Sequence, residues 1–391
     1  MTIWDLEDLD PEDAFARAKA TISKFPILAR VFDDDFLRDL IRRRATIVDN
    51  FLLFVLVQPE GEIAIEIWRE ITDDLLLLEP EGSIEAFADK LKRHTSAEFE
   101  ATRSEIALPA WFKRNGTAVV LEPPVGDKRP DFAASTEPPT TWEIKSLQDI
   151  DDVQTVAAIE HDVQGRLRKA SQPYILTTTG LPQRREDVAR AVKAIVRGLV
   201  AHDQAGLPVP HTFEDRGLVV TAERRQRDGK GYPGIFTGPM HEFGTEYSER
   251  VRGRIKAAGD QLPTDSAGVV VIDCTATTWL DDEEVIDACF GDLSTVFRGR
   301  ETFDFRENGA FREGGGTRIS AVIAYARRRH ISDTGPFKMT VLHNPYARFP
   351  LPDGWLSDEN VRHIRRVEET PGKYRFDITP SKPPVGDGAP E

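Results

Sequence analysis

Apolar positions fall into two periodicities along the chain. Between residues 11 and 94 they recur every three or four positions, as in Phe36, Leu37, Leu40, Ile41, Ile47, Val48, Phe51 and Leu52, which gives a helix one apolar face. Gly61 and Gly82 punctuate this run. Residues 63–78 carry both signals: Ile63, Ile65 and Ile67 alternate like a strand, whereas Ile67, Ile71, Leu75 and Leu78 repeat like a helix. The length of the segment favours helix. Thr95-Ser96-Ala97-Glu98 has the form of a capping box, predicting a helix with Phe99, Ile106, Ala110 and Trp111 on one side and a stop at Asn115-Gly116. Pro109 lies inside it and has no N–H for the Glu105 carbonyl, so a kink is expected.

Beyond residue 116 the pattern shortens to strand lengths. Residues 118–121 read as a strand, and a hairpin follows, with Asp131-Phe132 entering a Pro-rich turn and Thr141-Trp142-Glu143-Ile144-Lys145 leaving it. Helices are expected over 149–169, 185–202 and 246–262, and strands over 174–177 and 218–221. Gly268-Val269-Val270-Val271-Ile272-Asp273 is a run buried on both faces, typical of a central strand in an α/β sheet. A strand pair, 319–325 with 339–342, closes the sheet. From Glu369 onward Pro, Gly and charge dominate, predicting a mobile tail. The organisation expected is a helical N-terminal region over 1–94, for packing, dimerisation or partner recognition, an α/β domain over 95–347, and a C-terminal extension over 348–391.

Composition narrows the class. The chain has 391 residues with 40% hydrophobic content, enough for large cores. Its longest apolar run, 51–57, is far short of a membrane span, and its acidic start lacks the basic residues of a signal peptide, so a cytoplasmic protein is expected. Cys274 and Cys289 have no metal-ligand spacing and read as core thiols; His161, His330 and His343 form no ligand pattern either. The formal charge of −15 limits a broad nucleic-acid surface, because phosphate binding needs Lys and Arg. Much of the acid lies at 5–13, 33–35 and 79–85, which leaves room for a local basic cleft. Candidates for it are Arg224/Arg225/Arg227, Arg252/Arg254/Lys256 and Arg327/Arg328/Arg329, each of which also reads as a solvated face.

The candidate chemistry sits on the hairpin. Strand alternation places Glu143 and Lys145 on one face and Trp142 and Ile144 on the other, so two carboxylates, Asp131 and Glu143, converge with one ammonium. Carboxylate oxygens are the hard ligands that Mg²⁺ prefers, and a lysine beside the metal can orient a water. Asp228-Gly229-Lys230 repeats the acid-x-Lys spacing, but within a polar run that reads as a loop. Pro130-Asp131 followed by Glu143-Ile144-Lys145 resembles the PD-(D/E)XK nuclease superfamily, and helix, strand, strand, strand is the order in which that core opens.

The resemblance implies a restriction-endonuclease-like α/β fold with a mixed central sheet, and a Mg²⁺- or Mn²⁺-dependent nuclease acting on DNA ahead of RNA. It is carried by residues 95–147 and extends to 344 by element order only. On it, Asp131 and Glu143 hold the metal, the Ile144 carbonyl adds a ligand, Lys145 positions the attacking water, and Glu105 of the leading helix supports the metal. Glu98 and Glu100 compete with Glu105 for that place, although Glu98 is engaged as a cap. Arg254, Lys256 and Gln261 occupy the helix that follows the motif strand, where Lys256 or Gln261 is expected to face the cleft. The rival reading is a binding or regulatory protein that keeps the fold without catalysis.

Overall fold

The computed structural model describes residues 6, 9–43, 51–93, 95–147, 174–180, 185–224, 235–237, 244–275, 282–291, 293–296, 303–305, 308–332, 335–358, 360–371 and 373–380. Six helices come first: α1 (Pro11–Lys24), α2 (Asp34–Arg42), α3 (Phe51–Leu56), α4 (Glu62–Leu77), α5 (Ser83–Leu91) and α6 (Ser96–Arg114). Asp10 and Asp33 cap α1 and α2 by accepting backbone N–H groups of their first turns. The ambiguous segment after Gly61 is helical, because Ala64, Ile67, Trp68, Ile71 and Leu75 form a buried stripe only at helical spacing.

Strands β1 (Val119–Leu121), β2 (Phe132–Ala134) and β3 (Thr140–Ser146) form an antiparallel meander behind α6. A separate four-stranded sheet lies between β3 and the next strand of the main sheet. It comprises β4 (Tyr174–Gly180), β5 (His211–Asp215), β6 (Leu218–Arg224) and β7 (Ile235–Thr237), in the order β5-β6-β4-β7. With α7 (Arg185–Gln204) it has its own small core of Val192, Ile195, Leu199, Leu218 and Val220. The strands expected at 174–177 and 218–221 therefore belong to this second sheet.

The chain then runs through α8 (Gly244–Gly259), β8 (Ala267–Asp273), α9 (Asp282–Phe290), β9 (Leu293–Val296), β10 (Phe303–Phe305), β11 (Ile319–Ser332), β12 (Gly335–His343), β13 (Val361–Thr370) and β14 (Lys373–Pro380). Eight strands make the body of a mixed sheet, β1-β2-β3-β8-β11-β12-β13-β14, continued by β10 and β9. β3 pairs parallel to β8, β8 parallel to β11, and β11 antiparallel to β12. Every residue of β8 is buried, as its unbroken apolar run requires of a strand covered on both faces. Gly268 in β8 is a packing necessity, since a Cβ there would lie 2.7 Å from the Arg318 carbonyl oxygen.

Two corrections concern the chain's later part. The strand pair β11/β12 does not close the sheet; it lies in the middle, and β13 and β14 pair beyond it. The segment from residue 369, expected as a tail, instead holds the end of β13 and then β14, which pairs with β13 up to Pro380; residues 381–391 lie outside the described part.

Helices cover both faces. One core joins α1 to α6 to one side of the sheet, including Leu28, Leu37, Trp68, Phe99, Trp142, Val269, Val271 and Ile323. The other side carries Val270, Ile272, Val322 and Leu342 under α8 and α9, with both cysteines buried there as free thiols. Trp142 is fully buried, stacking on Phe132 at 5.3 Å and on Trp355 at 5.7 Å, with Phe112 of α6 edge-on at 4.9 Å. Each such aromatic pair contributes about 0.5–1.5 kcal/mol beyond its buried area, and together they fix where β2, β3 and α6 meet.

Candidate active site

Three elements bring the acids together. Thr95 caps α6, accepting the Glu98 N–H at 3.3 Å, while its own hydroxyl donates to the Glu98 carboxylate at 2.9 Å. Glu98 is thereby occupied, and Glu100 is held by Arg103 at 2.8 Å, so of the three glutamates only Glu105 reaches the hairpin acids. The helix continues through Pro109 to Arg114. Pro109 leaves the Glu105 carbonyl without its in-helix donor.

The β2–β3 ladder ends at the pair Phe132↔Trp142, and beyond it the strands fork. Asp131 stands in the fork. Its Oδ2 accepts the Ile144 N–H at 2.6 Å, and its carbonyl accepts the Glu122 N–H at 2.9 Å. A residue's N–H and C=O point to the same edge of an extended strand, so the Ile144 carbonyl faces the same opening as Asp131. Glu143 and Lys145 project from the face they share with Val270 and Ile272, and their side chains form an ion pair. Glu143 is 5% exposed, and its Oε2 is buried with no hydrogen-bond partner among the described residues.

A fifth side chain enters that sequence reading did not find. Lys90, in the last turn of α5, donates to Glu105 Oε2 at 2.7 Å and lies 3.8 Å from Glu122 and 3.9 Å from Asp131. Its carbonyl lies 3.2 Å from the Thr102 hydroxyl of α6, which it shares with the Glu98 carbonyl at 2.9 Å, so the end of α5 rests against α6. Nothing in the sequence near Lys90 marks it, because its place comes from how two helices pack.

The electrostatics are those of crowded acid. Burial, then Glu143 and Glu105, raise Asp131 from the ordinary 3.8 to about 7, against the Ile144 N–H and Lys90. Burial also raises Glu143, opposed by the Lys145 ammonium. Lys90 itself is raised: desolvation works against its charge, but Glu105, Asp131 and Glu122 outweigh it. Glu105, Glu122, Asp131 and Glu143 face two ammoniums, a formal surplus of two negative charges when all are ionised.

Among the described residues, no group of three or more His, Cys, Asp or Glu side chains stands ready to hold a metal ion as placed. The donor set nonetheless fits a hard divalent cation. It consists of carboxylate and carbonyl oxygens, and the bare Glu143 Oε2 is an orphaned acceptor for which a cation is the natural partner.

Next to the fork, Asp273 at the end of β8 is buried and accepts from Ser146 at 3.0 Å and from the Thr275 N–H at 3.0 Å. Burial raises its pKa. In the sequence Asp273 is only the polar end of an apolar run, with nothing beside it that marks a site.

The other expected residues make no direct contact with the acids among the described residues. Arg254 and Lys256 are exposed on α8, and Gln261 lies past the end of that helix, its N–H donating to the Ala258 carbonyl at 2.9 Å. No hydrogen bond or ion pair among the described residues joins these three to Asp131, Glu143, Lys145 or Glu105. Arg327 is committed to Glu70 at 2.6 Å rather than to an open cleft. Asp228 and Lys230 lie outside the described residues, as does the helix expected over 149–169. His343 is buried and bonded to His363 at 3.0 Å. No helix among the described residues is long and apolar enough to cross a membrane.

In comparisons with known proteins, no family model matches this chain, and neither does any curated protein or any solved structure.

Proposed function

We propose that the fork between β2 and β3 is the active site of a metal-dependent nuclease that hydrolyses phosphodiester bonds, in DNA ahead of RNA. The observation that carries this reading is the closeness of Glu143 and Glu105 to Asp131 at one strand fork, near enough to raise its pKa, on the edge that the Ile144 carbonyl faces. The element order supports it as well: a helix and an antiparallel three-strand meander come first, and after the intervening second sheet a helix and a strand parallel to the third follow, which agrees with the order that the Asp131/Glu143/Lys145 motif implies.

Asp131, Glu143 and the Ile144 carbonyl would hold Mg²⁺ or Mn²⁺, with Glu105 in support. When bound, that ion polarises a phosphoryl oxygen and stabilises the charge that develops on it. Lys145 keeps its ammonium at the edge of the site, 27% exposed, where it orients the attacking water. Glu143 holds Lys145 in that position through their ion pair. Buried Trp142 and Ile144 behind them keep the strand from shifting, because a one-residue slip would turn both catalytic side chains into the core.

A second reading, a non-catalytic binding or regulatory protein that keeps the fold, draws on the formal charge of −15 and on the commitment of Arg327 to Glu70. Incubating the purified protein with plasmid, single-stranded DNA and RNA, each with Mg²⁺, Mn²⁺ or EDTA, separates the readings. Cleavage of DNA with metal and none in EDTA is expected. Cleavage of RNA alone would reassign the substrate, and inertness on all three would favour the non-catalytic protein.

A further inference from the structure

The two lysines of the site are bound in different ways. Lys145 belongs to β3 and pairs with Glu143 two positions away on the same strand. Lys90 comes from a helix forty-one residues upstream of Asp131 and inserts its ammonium among acids from three other segments: Glu105 of α6, Glu122 beyond β1, and Asp131 before β2. Two of these acids are the ones expected to meet a divalent cation. The backbone of Lys90 is held in the last turn of α5 against Thr102 of α6, but its side chain is long and 23% exposed, so it has both a rigid base and a way out.

We propose that Lys90 is the internal counter-cation of the site: its ammonium stands among Glu105, Asp131 and Glu122 and must give way when a divalent cation binds, so that it sets the site's metal affinity. This rests on the reading of the fork as a metal site. An ammonium and a divalent cation sharing the same carboxylates repel each other strongly at such short range, and the surrounding acids cannot satisfy both. Glu122 gives the displaced ammonium a partner: it is already 3.8 Å away, and its side chain is more exposed than those of Glu105 and Asp131. Without Lys90 the acids repel one another in the metal-free protein, and the incoming cation has no competitor. The site therefore trades tight metal binding for a stable metal-free state. Lys90 acts as a positioning residue supplied by a helix outside the motif elements.

The test is calorimetric titration of Mn²⁺ alone into the metal-stripped, full-length protein at fixed pH and ionic strength, for wild type, Lys90→Met and Lys90→Arg. Lys90→Met should bind Mn²⁺ at least tenfold more tightly than wild type and melt at a lower temperature when metal-free. Lys90→Arg keeps the charge and should stay within a few-fold of wild type. Unchanged or weaker Mn²⁺ binding by folded Lys90→Met, beside measurable binding by wild type, overturns the role of Lys90 and leaves the metal site standing. Absence of binding by wild type and variants alike overturns the metal site, and the role of Lys90 with it. Should Lys90→Met fail to fold, Lys90→Gln, which still donates to Glu105, is read by the same outcomes.

Discussion

Asp131 accepts the Ile144 N–H while two other carboxylates stand near it. Its pKa is raised from the ordinary 3.8 to about 7, so the folded state favours its protonated form. The stabilisation from that preference is complete below about pH 4 and is lost as pH rises through about 7. Asp131→Asn keeps an acceptor for Ile144 and removes the charge. Metal-free Asp131→Asn should therefore be more stable than wild type at pH 8, by on the order of 1 kcal/mol, and should lack the wild-type decline between pH 4 and 7. Chemical denaturation in EDTA across that range checks this, and parallel pH curves for the two proteins would contradict it. In wild type, Mn²⁺ at a hundredfold excess over its dissociation constant should add about 2.7 kcal/mol, and Asp131→Asn should abolish the response. Asp131 and Glu143 were legible because a hairpin and period-2 alternation suffice to bring them together. Lys90 and Asp273 were not, because helix-on-helix and strand-on-strand packing places them, and neither leaves a local signal.

At the level of elements, the hairpin is held by aromatics, and β12 and β13 add a buried polar pair to their apolar core. His343 of β12 and His363 of β13 share a hydrogen bond of 3.0 Å inside the protein. Burial, then Arg365 and His363, lower His343 from the ordinary 6.5 to about 3. A depressed pKa gives stability that is present above about pH 6.5 and is lost as pH falls toward 3. His343→Leu should cost about 1–3 kcal/mol at pH 7.5 by stranding His363, yet lose less than wild type on acidification to pH 5. Urea midpoints at the two pH values measure this, and an equal acid loss in both proteins would contradict it. These strands also show where sequence reading stopped. In β13 only Val361, His363 and Ile364 are buried, and the ribbon toward Thr370 and through β14 is largely exposed, so its composition resembles that of a tail. Backbone pairing with a neighbouring strand, which composition does not report, makes it part of the sheet.

Across the whole molecule, the N-terminal helices and the sheet share one core. Trp68 of α4 and Phe51 of α3 each lie 5.6 Å from Phe99 of α6, and Glu70 of α4 joins Arg103 of α6 at 2.8 Å to Arg327 of β11 at 2.6 Å. A fully buried large apolar side chain contributes about 1.5–3 kcal/mol, so losing the partners of roughly three to five of them is comparable with the 5–15 kcal/mol that holds a typical domain folded. A chain beginning at residue 95 should therefore lack a cooperative melt and should aggregate. A monomeric, cooperatively melting fragment would show that the first 94 residues are an appendage. The α/β class was legible from the unbroken apolar run of β8 and the helical period before Thr95, whereas the second sheet was not, because its short strands look alike whichever sheet they join.

The central claim is that the fork hydrolyses phosphodiester bonds with a metal held by its carboxylates. Its most direct test is plasmid cleavage at saturating Mg²⁺ by wild type and by Glu143→Gln, with folding of both verified by their melts. Glu143→Gln keeps the shape of the side chain and removes its charge. The account predicts metal-dependent cleavage by wild type and a loss of at least a hundredfold in the variant, on the order of 3 kcal/mol in the barrier. Wild-type cleavage that survives in folded Glu143→Gln would contradict it.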